Sequence, residues 1–272
     1  MGRRLQPAPI LTADDTLEHF HAHGWLRVRQ AFSPGEAARM RDVLWAGLAD
    51  AGIRRDDPST WTVERPGGLQ KLKSHPAFAA VGSQRLLERV DAILETRDYG
   101  QPKNWGALFV AFPSQEPFCV PASGWHVDAN YRSQLSPPKG VQIHALFGDV
   151  LPRSGATQVL SGSHRLIHRW FQENPAPARA RSLDMRKRLL GHPYLRDLHT
   201  PGDTEARIAR FMDRAEEVDG IPLQVIENTG AAGDVMLLHP LLMHVAAPNA
   251  GAAPRLLLSG GITTDMSGWG DT

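Results

Sequence analysis

The sequence has few of the features that mark secreted, membrane-spanning or nucleic-acid-binding proteins. Its 272 residues include a single cysteine, Cys119, which excludes an internal disulfide and a structural zinc site built on paired thiolates. No apolar run approaches the roughly 20 residues that a membrane-spanning helix needs. The net charge of +1 gives no long-range field towards nucleic acid or an anionic membrane. These absences predict a soluble, cytoplasmic protein without a nucleic-acid or membrane partner, and they leave monomer and homodimer both open.

Strand-like segments dominate the chain after residue 104. Short apolar runs, separated by Gly, Pro, Asn and Ser, predict the strands WGALFVAF, VQIHALFGDV, ATQVL, LQVIE, DVMLLH, LMHVAA and RLLLSGGI. Their spacing favours a sandwich or closed barrel over alternating strand–helix units. Helical spacing precedes them at 12–22, 34–50 and 84–95. Residues 165–220 are helical in pattern and rich in Arg, which indicates an insertion or lid inside a single domain spanning 1–272.

The stretch GWHVDANY places His126 and Asp128 two residues apart. On a strand, residues i and i+2 point to the same side, so an imidazole nitrogen and a carboxylate oxygen face one point. This donor pair suits a divalent first-row metal, and two histidines with one carboxylate form the facial triad of non-haem Fe(II) oxygenases. Random placement of 12 histidines and 29 acidic residues gives about one such pair, so a third ligand is needed.

A distant segment supplies a candidate third ligand, His244. Pro-Asn-Ala-Gly at 248–251 is a turn signal with apolar runs on both sides. A hairpin folded there places Arg255 opposite His244, with both side chains on one face. An inward arginine beside a metal-bound histidine suits a small dicarboxylate, which chelates the metal at one end and pairs with the guanidinium at the other. His239 has no comparable partner and precedes a proline, which indicates a structural histidine.

Two other functions remain open for these residues. A zinc hydrolase or lyase also uses two histidines and a carboxylate, but Arg255 would have no role in such an enzyme. A non-catalytic barrel that binds a ligand has no need for all four groups. The joint presence of His126, Asp128, His244 and Arg255 favours the Fe(II) oxygenase.

Four stretches of the chain match a known family pattern: GWHVDANY (124–131), LFGDVLPRSGATQVLSGSH (146–164), GDVMLLHPLLMH (233–244) and APNAGAAPR (247–255). On these stretches the chain resembles the phytanoyl-CoA dioxygenase family of Fe(II)- and 2-oxoglutarate-dependent oxygenases. The resemblance implies a mainly β fold with flanking helices: a double-stranded β-helix, or cupin-like jelly roll, with N-terminal helices and the helical insertion. It also implies that O2 oxidises, and most often hydroxylates, a small organic substrate while 2-oxoglutarate yields succinate and carbon dioxide.

The resemblance assigns the main site residues one by one. His126, Asp128 and His244 match the iron ligands, and Arg255 matches the residue that binds the distal carboxylate of 2-oxoglutarate. In halogenating relatives a small residue replaces the carboxylate ligand, so Asp128 predicts hydroxylation and no chlorination. The Ala-, Arg- and Gly-rich composition indicates a GC-rich bacterial source and favours tailoring of a secondary metabolite.

Further residues are expected to line the co-substrate and substrate pockets. His144 stands where relatives often carry a tryptophan that lines the co-substrate pocket, and Thr157 lies in a GAT stretch that also reaches 2-oxoglutarate. Ala246 stands where some relatives offer a serine hydroxyl to this molecule. Asn130 and Arg132, just past the ligand pair, are candidate polar contacts for the substrate.

Overall fold

The computed structural model describes residues 13–100, 102–128, 134–175 and 182–264. Its α-helices are α1 (Ala13–His23), α2 (Pro34–Ala49), α3 (Gln84–Leu94), α4 (Ser163–Glu173), α5 (Ser182–Leu189), α6 (Pro193–Leu198) and α7 (Thr204–Phe211). Short 3-10 helices cover Pro58–Thr60, Leu69–Leu72 and Pro76–Gly82. No helix in these ranges is long and apolar enough to cross a bilayer.

The strands form two antiparallel sheets. They are β1 (Trp25–Val28), β2 (Ala107–Ala111), β3 (Gly140–Leu146), β4 (Thr157–Ser161), β5 (Glu216–Val218), β6 (Ile221–Glu227), β7 (Val235–Leu238), β8 (His244–Ala246) and β9 (Arg255–Thr263). The larger sheet has the order β1-β7-β3-β9-β2, and the smaller sheet has the order β5-β6-β4-β8. This arrangement confirms the mainly β jelly roll, and each strand predicted after residue 104 is present.

Each sheet buries its outer face under helices. In the larger sheet, Val141 and Ile143 of β3 belong to a core that also contains residues of α1, α2 and α3. In the smaller sheet, Leu160 of β4 and Val225 of β6 belong to a core shared with the α4–α7 segment. Because side chains alternate along a strand, the residues between these positions face the interior between the two sheets.

The start of α2 shows how local sequence determines an element. The Ser33 side chain accepts a hydrogen bond from the Glu36 backbone N–H, and the Glu36 carboxylate accepts one from the Ser33 N–H. This reciprocal capping box satisfies two backbone donors that the first helical turn leaves free. Pro34 is compatible with the first turn because no backbone donor is needed there.

The insertion is helical over most of the predicted range, but the expectation is wrong at its end. Helix α7 ends at Phe211, and Glu216–Val218 forms β5, which pairs with β6. Asp219 and Gly220 join the two strands with φ values of 51° and 72°. Positive φ at both central residues is typical of a type I′ hairpin turn, for which Asp-Gly is a strong signal.

Arg207 of α7 ties the insertion to the chain segment that leads into the metal-ligand region. Its guanidinium donates hydrogen bonds to the carbonyls of Val120 and Pro121 at 3.2 and 3.1 Å. It also donates to the carbonyls of Leu198 and Thr200, near the end of α6. One cation therefore satisfies carbonyls on both sides of this contact, which makes Arg207 a structural residue.

Candidate metal centre

The structure brings together the three side chains that the sequence assigned to the metal. One donor atom from each of His126, Asp128 and His244 lies within 4.8 Å of the other two. The His126 Nε2 lies 3.4 Å from Asp128 Oδ1, and the His244 Nε2 lies 3.6 Å from Asp128 Oδ2. Two imidazole nitrogens therefore converge on one carboxylate, which is the donor set of a facial-triad iron site.

A single β-bridge positions the two histidines. The His126 N–H donates to the His244 carbonyl at 3.0 Å, and the His244 N–H donates to the His126 carbonyl at 2.9 Å. His244 begins β8, but His126 and Asp128 do not lie on a strand, so that part of the expectation is wrong. Gly124 interrupts the extended conformation just before, with a φ of 85°. The bridge sets the two imidazoles side by side, with ring centroids 4.3 Å apart.

Backbone carbonyls fix which nitrogen of each histidine is available. His126 Nδ1 lies 2.7 Å from the Gly124 carbonyl, and His244 Nδ1 lies 3.0 Å from the Leu242 carbonyl. Because a carbonyl only accepts hydrogen bonds, each Nδ1 carries a proton, and in the neutral imidazole each Nε2 then presents its lone pair. This arrangement is typical of metal-ligating histidines, whose second nitrogen donates to a carbonyl or carboxylate.

The electrostatics of the cluster suit a divalent cation. Burial by itself raises the pKa of Asp128, but the hydrogen bonds from His126 and His244 outweigh it and hold the pKa below its usual value. The same contact with Asp128 raises the pKa of His126. The carboxylate is therefore ionised at neutral pH. A divalent metal would be held by this carboxylate and by the two imidazoles in their neutral form, since metal binding needs deprotonated ligands.

Arg255 lies at the start of β9, with 5% of its surface exposed. Its Nη1 donates to the Thr157 hydroxyl at 3.1 Å, while its Nε has no hydrogen-bond partner. No carboxylate in the described part of the chain forms an ion pair with it. Burial lowers the pKa of Arg255 to about 10, and nearby Arg65 and Glu64 have smaller, opposite effects. A buried cation with a free donor is the environment expected of an anion-binding residue.

The route by which Arg255 reaches the site differs from the predicted hairpin. Strand β8 pairs with β4 in the smaller sheet, whereas β9 lies between β3 and β2 in the larger sheet. Arg255 therefore stands opposite Ala111 and not opposite His244. Because Thr157 pairs with Ala246, two residues after His244, the hydrogen bond from Arg255 to Thr157 spans the two sheets.

His144 and His239 are both buried histidines, but they occupy different environments. The His144 ring stands edge-on to the His244 ring at 5.6 Å, and its Nδ1 has no hydrogen-bond partner. Burial lowers its pKa to about 3. His239 Nδ1 accepts from the Leu241 N–H at 3.0 Å and its Nε2 lies 3.1 Å from the Leu135 carbonyl. His239 is therefore structural, as predicted, whereas His144 lies beside the metal cluster.

Asn130 and Arg132, the candidate substrate contacts, lie outside the described residues. Gln142 was not singled out from the sequence, although the alternation in VQIHALF places it on the same strand face as His144. Its side chain is fully buried, and neither of its polar atoms has a partner.

The structure is a jelly roll with a cluster of two histidines and one carboxylate that could hold a metal ion. The family model for phytanoyl-CoA dioxygenase (PhyH) matches residues 20–257, and the chain belongs to this family. It is therefore an enzyme of the Fe(II)- and 2-oxoglutarate-dependent oxygenase class, as the resemblance implied. Its cofactor is iron, and its co-substrates are 2-oxoglutarate and O2.

Solved structures share the fold at low sequence identity. AviO1 from Streptomyces viridochromogenes Tue57 is 17% identical with a TM-score of 0.55, over 96% of this chain and 98% of that one. The epimerase SnoN, in complex with Fe3+, alpha ketoglutarate and nogalamycin RO, is 15% identical with a TM-score of 0.51, over 92% of this chain and 83% of that one. No curated protein matches the chain by sequence. These likenesses establish the jelly-roll architecture.

Proposed function

We propose that the chain is a single-domain dioxygenase that hydroxylates a small organic substrate. In this proposal His126, Asp128 and His244 hold Fe(II). Arg255 and Thr157 bind the distal carboxylate of 2-oxoglutarate, and His144 lines the same pocket. The observation that carries the proposal is the convergence of the three donor atoms within 4.8 Å.

The protein contributes orientation and charge to the reaction. The Gly124 and Leu242 carbonyls hold the two imidazoles with Nε2 free, and the ionised Asp128 supplies the anionic ligand. When bound, the iron supplies chelation of the keto-acid end and the redox chemistry that converts 2-oxoglutarate and O2 into succinate and carbon dioxide. The Arg255 guanidinium neutralises the far carboxylate and determines the orientation of the co-substrate.

Secondary metabolism is the proposed setting. SnoN, which shares the fold, is described in complex with nogalamycin RO, and the composition of this chain favours a bacterial source. The carboxylate of Asp128 occupies the ligand position that halogenating relatives leave to a halide, which supports hydroxylation. We further propose that the enzyme acts in the cytoplasm on a free small molecule, with Asn130 and Arg132 as polar contacts.

The test is Fe(II)-dependent formation of succinate from 2-oxoglutarate, with and without a panel of candidate substrates. Wild type is expected to form succinate with Fe(II) and O2 but not with Zn(II), which separates the oxygenase from the zinc hydrolase. His244→Gln should lose this activity, while His239→Gln, a matched change of a buried histidine outside the metal cluster, should retain it. Equal activity in both variants, or no succinate from folded wild type, contradicts the proposal.

A further inference from the structure

Gln142 on β3 is a buried polar side chain with no hydrogen-bond partner among the residues that the structure describes. It is 1% exposed, and both its Oε1 and its Nε2 lack a partner. Buried side-chain amides are nearly always hydrogen-bonded, because an unsatisfied donor or acceptor destabilises the fold. A carboxamide left in this state needs an explanation, and a ligand that completes its bonds is one.

The alternation of β3 shows where Gln142 points. Val141 and Ile143 lie in the core under the N-terminal helices, so Gln142 and His144 occupy the opposite, inner face. On that face the His144 ring contacts the His244 ring at 5.6 Å. Same-face neighbours on a strand are about 7 Å apart. The Gln142 carboxamide therefore lies within the length of a small molecule from the metal cluster.

Pairing with β9 gives the side of the cluster on which Gln142 lies. Gln142 stands opposite Gly261, and His144 stands opposite Ser259. Arg255 lies further along β9 in the other direction, beyond His144. A 2-oxoglutarate molecule that reaches from the metal cluster to Arg255 therefore extends away from Gln142 and cannot complete its hydrogen bonds.

The segment of β9 opposite Gln142 is partly exposed, although the Gln142 side chain itself is buried. Ser259 and Gly261 are partly exposed, and β2 pairs with β9 only as far as Ser259, so Gly261 has a paired strand on one side only. Gly261 has no side chain to fill the space opposite the carboxamide. The end of β9 opposite Gln142 is thus less covered than the end that carries Arg255.

We propose that Gln142 anchors the primary substrate through an uncharged group that presents a donor and an acceptor side by side, such as a hydroxyl pair or an amide. A carboxamide offers this complementary pair itself, with two N–H donors and one carbonyl acceptor. The proposal rests on the proposed function, since it takes the metal cluster as the reaction centre. Gln142 is a positioning residue that holds the substrate and takes no part in iron binding.

A stability measurement tests this without knowledge of the substrate. Gln142→Met removes the two unpartnered polar atoms at nearly constant volume, so the Tm of the ligand-free protein should rise by about 2 °C or more. Gln158 is the control: it is also fully buried and its Oε1 has no partner among the described residues, but its Nε2 donates to the Cys119 carbonyl at 2.8 Å. Gln158→Met should lower the Tm, because it leaves that carbonyl without its donor.

A fall in Tm for Gln142→Met comparable to that of Gln158→Met overturns the proposal. Such a fall means that the carboxamide is already satisfied within the fold, for example by a buried water. This outcome is independent of catalysis, so it is distinguishable from a failure of the proposed function in the succinate assay.

The substrate panel gives the second test. It contains polyols, glycosides and lactams, each with an analogue that lacks the hydroxyl pair or the amide. For compounds that stimulate succinate formation by wild type, Gln142→Met should raise KM by about tenfold or more, with KM for 2-oxoglutarate unchanged. The proposal that Gln142 binds the substrate is wrong if KM for 2-oxoglutarate rises instead. It is also wrong if only the analogues that lack the hydroxyl pair or the amide stimulate succinate formation.

Discussion

Replacement of Arg255 by methionine is expected to weaken 2-oxoglutarate binding while the metal centre stays intact. The guanidinium is buried, has one donor engaged by Thr157 and keeps its Nε free. Removing one partner of a buried, hydrogen-bonded charge pair costs about 3–5 kcal/mol. At about 1.4 kcal/mol per tenfold, the lower figure corresponds to a rise of about 100-fold in KM for 2-oxoglutarate.

The same substitution should not destabilise the protein in the absence of 2-oxoglutarate. Burial lowers the pKa of Arg255 from 12.5 to about 10. The guanidinium is still charged at neutral pH, and its burial therefore destabilises the folded protein. This pKa difference corresponds to a destabilisation of about 3 kcal/mol, which is absent from the methionine variant. The Tm of the ligand-free variant should therefore equal or exceed that of wild type, whereas a merely structural arginine would give a lower Tm.

The assay is succinate formation at saturating Fe(II) over a range of 2-oxoglutarate concentrations, together with thermal unfolding. Arg207→Lys is the matched control, since Arg207 is a buried arginine whose guanidinium is engaged by the backbone carbonyls of Val120 and Leu198. It should lower the Tm and leave KM for 2-oxoglutarate unchanged. The reasoning is refuted if Arg255→Met lowers the Tm like Arg207→Lys and does not change KM.

Three further results are expected. Thr157→Val should raise KM for 2-oxoglutarate about tenfold or more, since a hydrogen bond to a charged group is worth about 1.5–3 kcal/mol, and an unchanged KM in the succinate assay would show that the hydroxyl has no part in binding. Asp128→Ala should lose hydroxylation, and wild type in chloride buffer should give no chlorinated product by mass spectrometry; a chlorinated product contradicts the role given to this carboxylate. Burial lowers the pKa of His239 from 6.5 to about 3. Below pH 6.5 the His239 imidazole therefore binds a proton in the unfolded chain but stays neutral in the folded chain. The free energy of unfolding should thus fall by about 2 kcal/mol at this residue between pH 7 and pH 5. Urea titration should show a smaller fall for His239→Gln, and an equal fall in both proteins would contradict the burial argument.

Local patterns were sufficient to predict most of the elements of this fold. Strands such as Gly140–Leu146 and Ile221–Glu227 follow from short apolar runs between turn residues, and α2 follows from its capping residues. These signals depend on nearest neighbours along the chain. The hairpin at Asp219 and Gly220 carries an equally local signal, which the arginine-rich helical pattern before it obscured.

Pairing between distant residues could not be obtained in the same way. The turn at Asn249 suggests a hairpin between the strands that carry His244 and Arg255, but in a jelly roll consecutive strands pass to different sheets. The buried Asn249 side chain holds this crossing by donating to the carbonyls of Ala111 and Ala253 at 2.9 and 2.8 Å. The sequence thus named residues that the fold does place near one another, with an incorrect account of how the backbone brings them together.

The metal centre rests on the convergence of three side chains, and anaerobic equilibrium dialysis with Fe(II), followed by elemental analysis, tests it most directly. Wild type and His239→Gln should each retain one iron per chain, while His126→Gln and His244→Gln should retain none at the same free iron concentration. Full retention of iron by either of the last two variants, with their fold intact, would contradict the assignment of His126, Asp128 and His244 as the ligands.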